Sequence, residues 1–402
     1  MPDPTARASL RSDVRVIGLI GVAHFFSHFF QLVLPPLFPL LKTVFGVPYV
    51  ALGLTISVFY GASGIGQTLS GFLVDRIGAQ RVLLGGMALF AASIALAGLV
   101  PTYWLLLPVA LLAGLGNSVF HPADYSILNA SVDARRIGRG YSVHSVSGNL
   151  GWAVAPTVVF ALTAHFGWRV ALVTVGGLGL VMAGVLATQA HLFATARSAG
   201  RSRGATDVRL LLSGPILAAF AYFALIAMAV IGVQTFGVSG LIRVYETPMA
   251  AATACLTAFL LGSAAGTLVG GLLADRTSRH DVLAVSGLVG GAVLMLVLAT
   301  GSLAVSTLPG LLALAGFCQG ITGPSRDMLV RAATPTGASG RVFGFVYSGL
   351  DLGSCITPLA FGWLLDHGDP RMVFAAVGVL LLCTIATVVQ VRRSAQPVPA
   401  GA

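Results

Sequence analysis

Gly71-Phe72-Leu73-Val74-Asp75-Arg76 and Gly271-Leu272-Leu273-Ala274-Asp275-Arg276 repeat one pattern 200 residues apart, each closing a long apolar run. A second echo lies at an offset of 202: His121-Pro122-Ala123-Asp124 answers Gly323-Pro324-Ser325-Arg326, and Pro156 answers Pro358. Two copies of one unit, each about half the chain, are the economical reading. In membrane carriers such repeats bracket a site near the bilayer midplane.

Composition says which solvent the repeated unit faces. Of 402 residues 56% are apolar and 9% charged, against about 25% charged in a soluble domain. Crossing a hydrocarbon core takes roughly 20 apolar residues in a helix, because every backbone N–H and C=O must be bonded without water. Breaking the chain at charge clusters and Gly/Pro punctuation gives twelve such stretches, beginning near Val16, Tyr49, Val82, Trp104, Tyr141, Trp168, Leu211, Pro248, Val282, Ser306, Val342 and Arg371. The expected fold is therefore an all-α integral membrane protein, with twelve transmembrane helices in two pseudo-symmetric six-helix bundles. Residues 1–190 form the first half, the Arg-rich stretch 191–209 a cytoplasmic linker, and 210–402 the second half. Arg7, Arg11 and Arg15 before the first run could mark a secretory signal, but the run continues to Leu41 and reads as a retained helix.

Alternate loops divide the basic residues unevenly. One set, including Arg76, Arg81, Arg135, Arg136, Arg276 and Arg341, holds 18; the other holds 4 (Lys42, Arg169, Arg243 and Arg371), and Arg326 sits within a span. Positive loops stay inside, so both termini are expected in the cytoplasm. The net charge of +10 follows from topology, which argues against a nucleic-acid partner. Cys255, Cys318, Cys355 and Cys383 fall in spans without CxxC spacing and read as small hydrophobes. Gly262, Gly266 and Gly270 permit close helix contact. With no strand before them and no Gly-Lys-Ser/Thr after, they are not a phosphate loop, so neither ATP nor another cofactor is expected.

Gly71 to Arg81, G-F-L-V-D-R-I-G-A-Q-R, resembles the G-x-x-x-D-R-x-G-x-x-R loop of the major facilitator superfamily, and Gly271 to Arg279 is a degenerate copy. Ser27-His28, Val119-Phe120-His121-Pro122 and Gly148-Asn149-Leu150-Gly151 with Pro156 are similar to the fosmidomycin-resistance branch of its drug exporters. The resemblance implies a secondary transporter in a bacterial inner membrane, working as a monomer on a small molecule and exchanging it for protons. It also implies that Asp75, Arg76, Arg81, Asp275 and Arg276 act as a conformational latch. Two positions depart from the pattern. Gln31 and Leu32 stand where that branch tends to carry an acid, and no arginine lies in Asn117 to Asp124.

Ionisable groups within spans cost about 2.5 to 3.5 kcal/mol on insertion scales, so they face a cavity or a partner. His24, His28 and Gln31 share a face at i, i+4 and i+7; they suit proton handling or interhelical bonding. His121 and Asp124 share a face beside Pro122, and Arg326 with Asp327 stands at the matching place in the second half. Asp124 and Arg326 could close the cytoplasmic side together; alternatively Arg326, with its fixed fork of donors, could bind an anionic substrate. Tyr347, Asp351 and Ser354 form another stripe, with Asp351 the first candidate for the proton carrier. His144 is either a proton site or a structural bond to Asp124, and Asn149 belongs to the pathway through its motif. The leading function is proton-coupled export of a small amphiphilic or anionic compound, with proton-coupled uptake of an organic anion as the alternative. A membrane-embedded metalloenzyme using His121, Asp124 and His144 is a more distant reading, weakened because the second half offers Arg326 where a ligand is needed.

Overall fold

The computed structural model describes residues 4–193, 208–333 and 339–395. Most of the expected linker, 194–207, lies outside them. The chain divides into two compact units, Met1–Val47 with Val58–Ser202 and Pro48–Ser57 with Arg203–Ala402. The described residues are helical, with no strand.

The first half contributes α1 (Pro4–Gln31), α2 (Phe38–Phe45), α3 (Tyr49–Ile77), α4 (Ala79–Ala97), α5 (Tyr103–Asn117), α6 (Phe120–Ser131), α7 (Ile137–Phe166) and α8 (Trp168–Thr188). After the short α9 (Val208–Leu211) come α10 (Gly214–Tyr245), α11 (Met249–Ala274), α12 (His280–Ala299), α13 (Leu308–Gly320), α14 (Thr322–Ala333), α15 (Ser339–His367) and α16 (Met372–Ala395). Eleven segments among the described residues are long and apolar enough to cross a membrane. The stretch expected near Val342 is α15, 29 residues long and carrying Tyr347, Asp351 and Ser354, and it is not among the eleven. The chain is a multi-pass membrane protein.

Two prolines explain one shared irregularity. The fourth span is interrupted between α5 and α6, and its repeat-mate between α13 and α14. Pro122 and Pro324 each occupy the third position of the helix that resumes. Proline has no N–H and clashes with the carbonyl four residues back, so a continuous helix is disfavoured there, whereas in a first turn no bond is lost. The helix therefore stops and restarts just before Asp124 and Arg326.

Glycines set the closest approaches. A Cβ on Gly262 or Gly266 would run into the backbone carbonyls of Ala313 and Phe317, so α11 lies directly against α13. In the first unit a Cβ on Gly148 would meet the rings of His24 and His28 at 2.9 Å. Glycine there is what lets α7 pack on the histidine-bearing face of α1.

Polar ends are also bonded. Asp366 on α15 accepts from the N–H groups of Tyr49 (2.9 Å) and Val50 (2.8 Å), satisfying donors that the start of α3 leaves open. Arg169 donates to the carbonyls of Gly98 and Val100, and Arg243 to that of Leu365. Two of the four sparse-side basic residues thus close helix ends. Arg136 Nε lies 2.6 Å from the buried Asp13, tying the start of α1 to the turn before α7.

Candidate functional site

The break before α6 points Asp124 inward, where it is fully buried. Asp124 Oδ2 lies 3.1 Å from His144 Nε2 on α7 and 3.4 Å from His24 Nδ1 on α1. His24 and His144 stack with ring centroids 3.5 Å apart. His28 sits one turn along, 4.4 Å from His24 and 4.1 Å from the Trp152 ring. His121 caps the group from an exposed position, its ring 5.2 Å from His24 and 5.9 Å from His144, stacked on Tyr125. Four imidazoles from three helices thus gather here, two of them reaching the one carboxylate, and among the described residues no Lys or Arg pairs with it. Imidazole offsets a carboxylate's charge only when it carries an extra proton, so the group's net charge depends on what it binds.

Beside this group Asn117, the last residue of α5, collects a polar knot. Its Oδ1 accepts from Ser27 Oγ (3.0 Å) and Gln31 Nε2 (3.1 Å), and its Nδ2 donates to Ser63 Oγ at 2.8 Å. Trp152 Nε1 donates to Gln31 Oε1 at 3.0 Å. Gln31 is therefore held in place by neighbours on α5 and α7.

In the second unit Arg326 donates from Nε to Asp327 Oδ1 at 3.0 Å and lays its guanidinium 4.2 Å over the Phe223 ring of α10. Tyr347 on α15, itself 39% exposed, meets the same ring at 4.8 Å. Asp351 is half-buried one turn further along α15, with no ion-pair partner among the described residues. Arg326 keeps its terminal N–H groups without a hydrogen-bond partner among the described residues.

Of the residues expected from the sequence, His24, His28, His121, Asp124 and His144 come together in the first unit, while Arg326, bonded to Asp327, and Tyr347 meet at Phe223. Asn149 is half-buried on α7 and joins neither cluster through a hydrogen bond among the described residues. Asp75, Arg76, Arg81, Asp275 and Arg276 are exposed, and their side chains make no hydrogen bond or ion pair with a described residue. Asp124 and Arg326 each take their partners inside their own unit. Reading the sequence missed Asn117, Ser63, Trp152 and Phe223. A lone amide ending the apolar run before Pro122 was a usable signal for Asn117; nothing local marks Phe223 among so many phenylalanines.

Duplicated helical halves with buried ionisable groups define a polytopic carrier. The chain belongs to the Major Facilitator Superfamily, whose family profile matches residues 20–250 and 234–402. It is 24% identical over 404 residues to the fosmidomycin resistance protein of Escherichia coli K12, covering 96% of each. It is 26% identical over 354 residues to the multidrug resistance protein MdtH of Escherichia coli, covering 83% of this chain and 82% of the relative. A probable L-galactonate transporter of Escherichia coli K12 matches 34% of this chain at 29% identity. Among solved structures, a bacterial homologue of the human lysosomal transporter Spinster, inward-facing and unoccupied, superimposes with a TM-score of 0.75 at 14% identity, over 97% of this chain and 99% of that one. The nucleoside transporter NupG reaches 0.77 at 13% identity over 94% and 99%. The chain is a transporter of this superfamily and not an enzyme.

Proposed function

We propose that this protein is a monomeric, proton-coupled exporter of a small anionic or amphiphilic compound, working by alternating access with both termini in the cytoplasm. The observation that carries the reading is Arg326. Its guanidinium is stacked on Phe223, beside the exposed Tyr347, with terminal donors unspent. An aromatic floor under a fixed fork of donors suits a ligand that is part anionic and part apolar. Asp351, one turn along α15 from Tyr347, carries the proton. A span carboxylate without a cation is costly while charged, so taking up and releasing a proton changes the energy of that half. The two resistance relatives, matched over 96% and 82% of their length, favour export, and the partial match to a probable L-galactonate transporter keeps uptake of an organic anion as the second reading.

Purified protein in liposomes with an internal pH dye, challenged with anionic and amphiphilic compounds including fosmidomycin, tests this. One compound should drive proton movement that Asp351→Asn abolishes, and Arg326→Ala should raise the half-saturating concentration at least about tenfold, as losing a charge-assisted bond implies. Proton movement surviving Asp351→Asn would take the proton role from that residue. Unchanged affinity in Arg326→Ala would return the arginine to a gating role, and silence across the panel would overturn proton coupling.

A further inference from the structure

The imidazole cluster of the first unit is not used by that reading, and its geometry has a use of its own. One ligand nitrogen from each of His24, His121 and His144 lies within 4.8 Å of the other two. Asp124 Oδ2 reaches two of these rings at 3.1 and 3.4 Å. The four side chains come from α1, α6 and α7, so packing of three helices holds them and not one local turn.

A second, independent observation points to a ligand. His24 Nδ1 and Asp124 Oδ1 are buried and have no hydrogen-bond partner, on residues 2% and 0% exposed. His24 Nδ1 faces Asp124 Oδ2 at 3.4 Å without hydrogen-bond geometry. Buried polar atoms are nearly always bonded. Two orphans in one nest of lone pairs are what a cation satisfies.

We infer that His24, His121, His144 and Asp124 form a binding site for a divalent transition cation of the Zn2+, Co2+ or Ni2+ kind. Three imidazoles and one carboxylate make a four-coordinate set that favours these borderline ions over Mg2+ or Ca2+, which take oxygen-rich shells. Tetrahedral ligation with metal–nitrogen bonds near 2.0–2.1 Å sets the nitrogens about 3.3 Å apart. The nitrogens must therefore close by up to about 1.5 Å from separations within 4.8 Å, and the exposed His121 is the one free to swing and to admit the ion. Gly148 belongs to the site as well, because any side chain there would displace His24. A bound ion would tie three helices together, so it would favour whichever arrangement keeps them in contact.

The test is direct titration of the purified full-length protein with Co2+, read by visible absorption and by the shift in melting temperature, with no transport measurement involved. Failure of the export reading therefore leaves it untouched. The starting protein carries substitutions of His165, His191, His280 and His367 to Asn, which removes every histidine outside the cluster and its neighbour His28. One equivalent should bind with a four-coordinate spectrum and raise the melting temperature. His121→Asn, at an exposed position, should weaken binding at least about tenfold while leaving the melting temperature of the metal-free protein unchanged; His144→Asn should do the same to binding. Absence of stoichiometric uptake, or uptake unaltered by either substitution, overturns the assignment.

Discussion

Asp124 in α6 and Arg326 in α14 stand 202 residues apart, on helices that both restart at a proline, yet they carry opposite charge and are solvated in opposite ways. The first half surrounds its carboxylate with histidines from α1 and α7. The second half has no histidine in α10; its arginine lies on a phenylalanine and bonds to the adjoining aspartate. The two halves share the backbone break and differ in the chemistry placed on it. A span's shape depends on a few prolines and glycines, whereas the groups it presents depend on which neighbours can compensate them.

The comparison can be broken most severely by exchanging charges. Asp124→Arg would place a cation against imidazoles in a fully buried setting, and uncompensated buried charge costs about 3 to 5 kcal/mol. We expect near-complete loss of monodisperse protein, checked by fluorescence-detected size exclusion, while Arg326→Asp, at a part-exposed position, is expected to yield folded protein. Equal yields would mean that the two sites are solvated alike.

Gly148→Ala sharpens the same contrast more gently. The added methyl meets both His24 and His28 at 2.9 Å, and overpacking of this kind costs about 1 to 3 kcal/mol. A lower melting temperature is the expected result, and His24→Ala in the same background should recover part of it.

The smallest effect is expected outside the spans. The Arg135 side chain bonds to Asp133 in the turn before α7 and, with the Arg135 backbone N–H, holds that carboxyl down to about 2. A depressed carboxyl stabilises the fold above the unfolded value near 4. The contribution is lost as pH falls from there through about 2. Asp133→Asn should therefore shift melting slightly and equally at pH 7 and pH 5, with the difference from wild type shrinking at pH 3; a difference that grows on acidification would contradict the assignment.

Much of this architecture was legible in one dimension. Apolar runs of sufficient length between Arg-bearing breaks leave few alternatives to spanning helices, and eleven of the twelve expected stretches meet that standard among the described residues. Gly71–Arg81 and its degenerate copy at Gly271–Arg279 carried the family resemblance, and the chain belongs to that family. His24 and His28, His121 and Asp124 were legible as pairs, because i, i+3 and i+4 spacing needs only a helix. The distant metalloenzyme alternative named His121, Asp124 and His144 and lacked His24, which sits nearly a hundred residues earlier on another helix; the chain is a transporter, and that alternative falls.

By itself, then, the sequence determined that the chain is helical, membrane-spanning and duplicated, and which residues within each span are out of keeping with lipid. These properties follow from local periodicity, length and hydropathy. Only the tertiary structure decided which of those residues meet: that His24 and His144 converge on Asp124, that Asn117 knots α1 to α3 and α5, that Phe223 lies under Arg326, and that Asp366 caps the start of α3. Such meetings depend on helix rotation and on approaches set by a few glycines, and a hydropathy pattern is nearly unchanged by either.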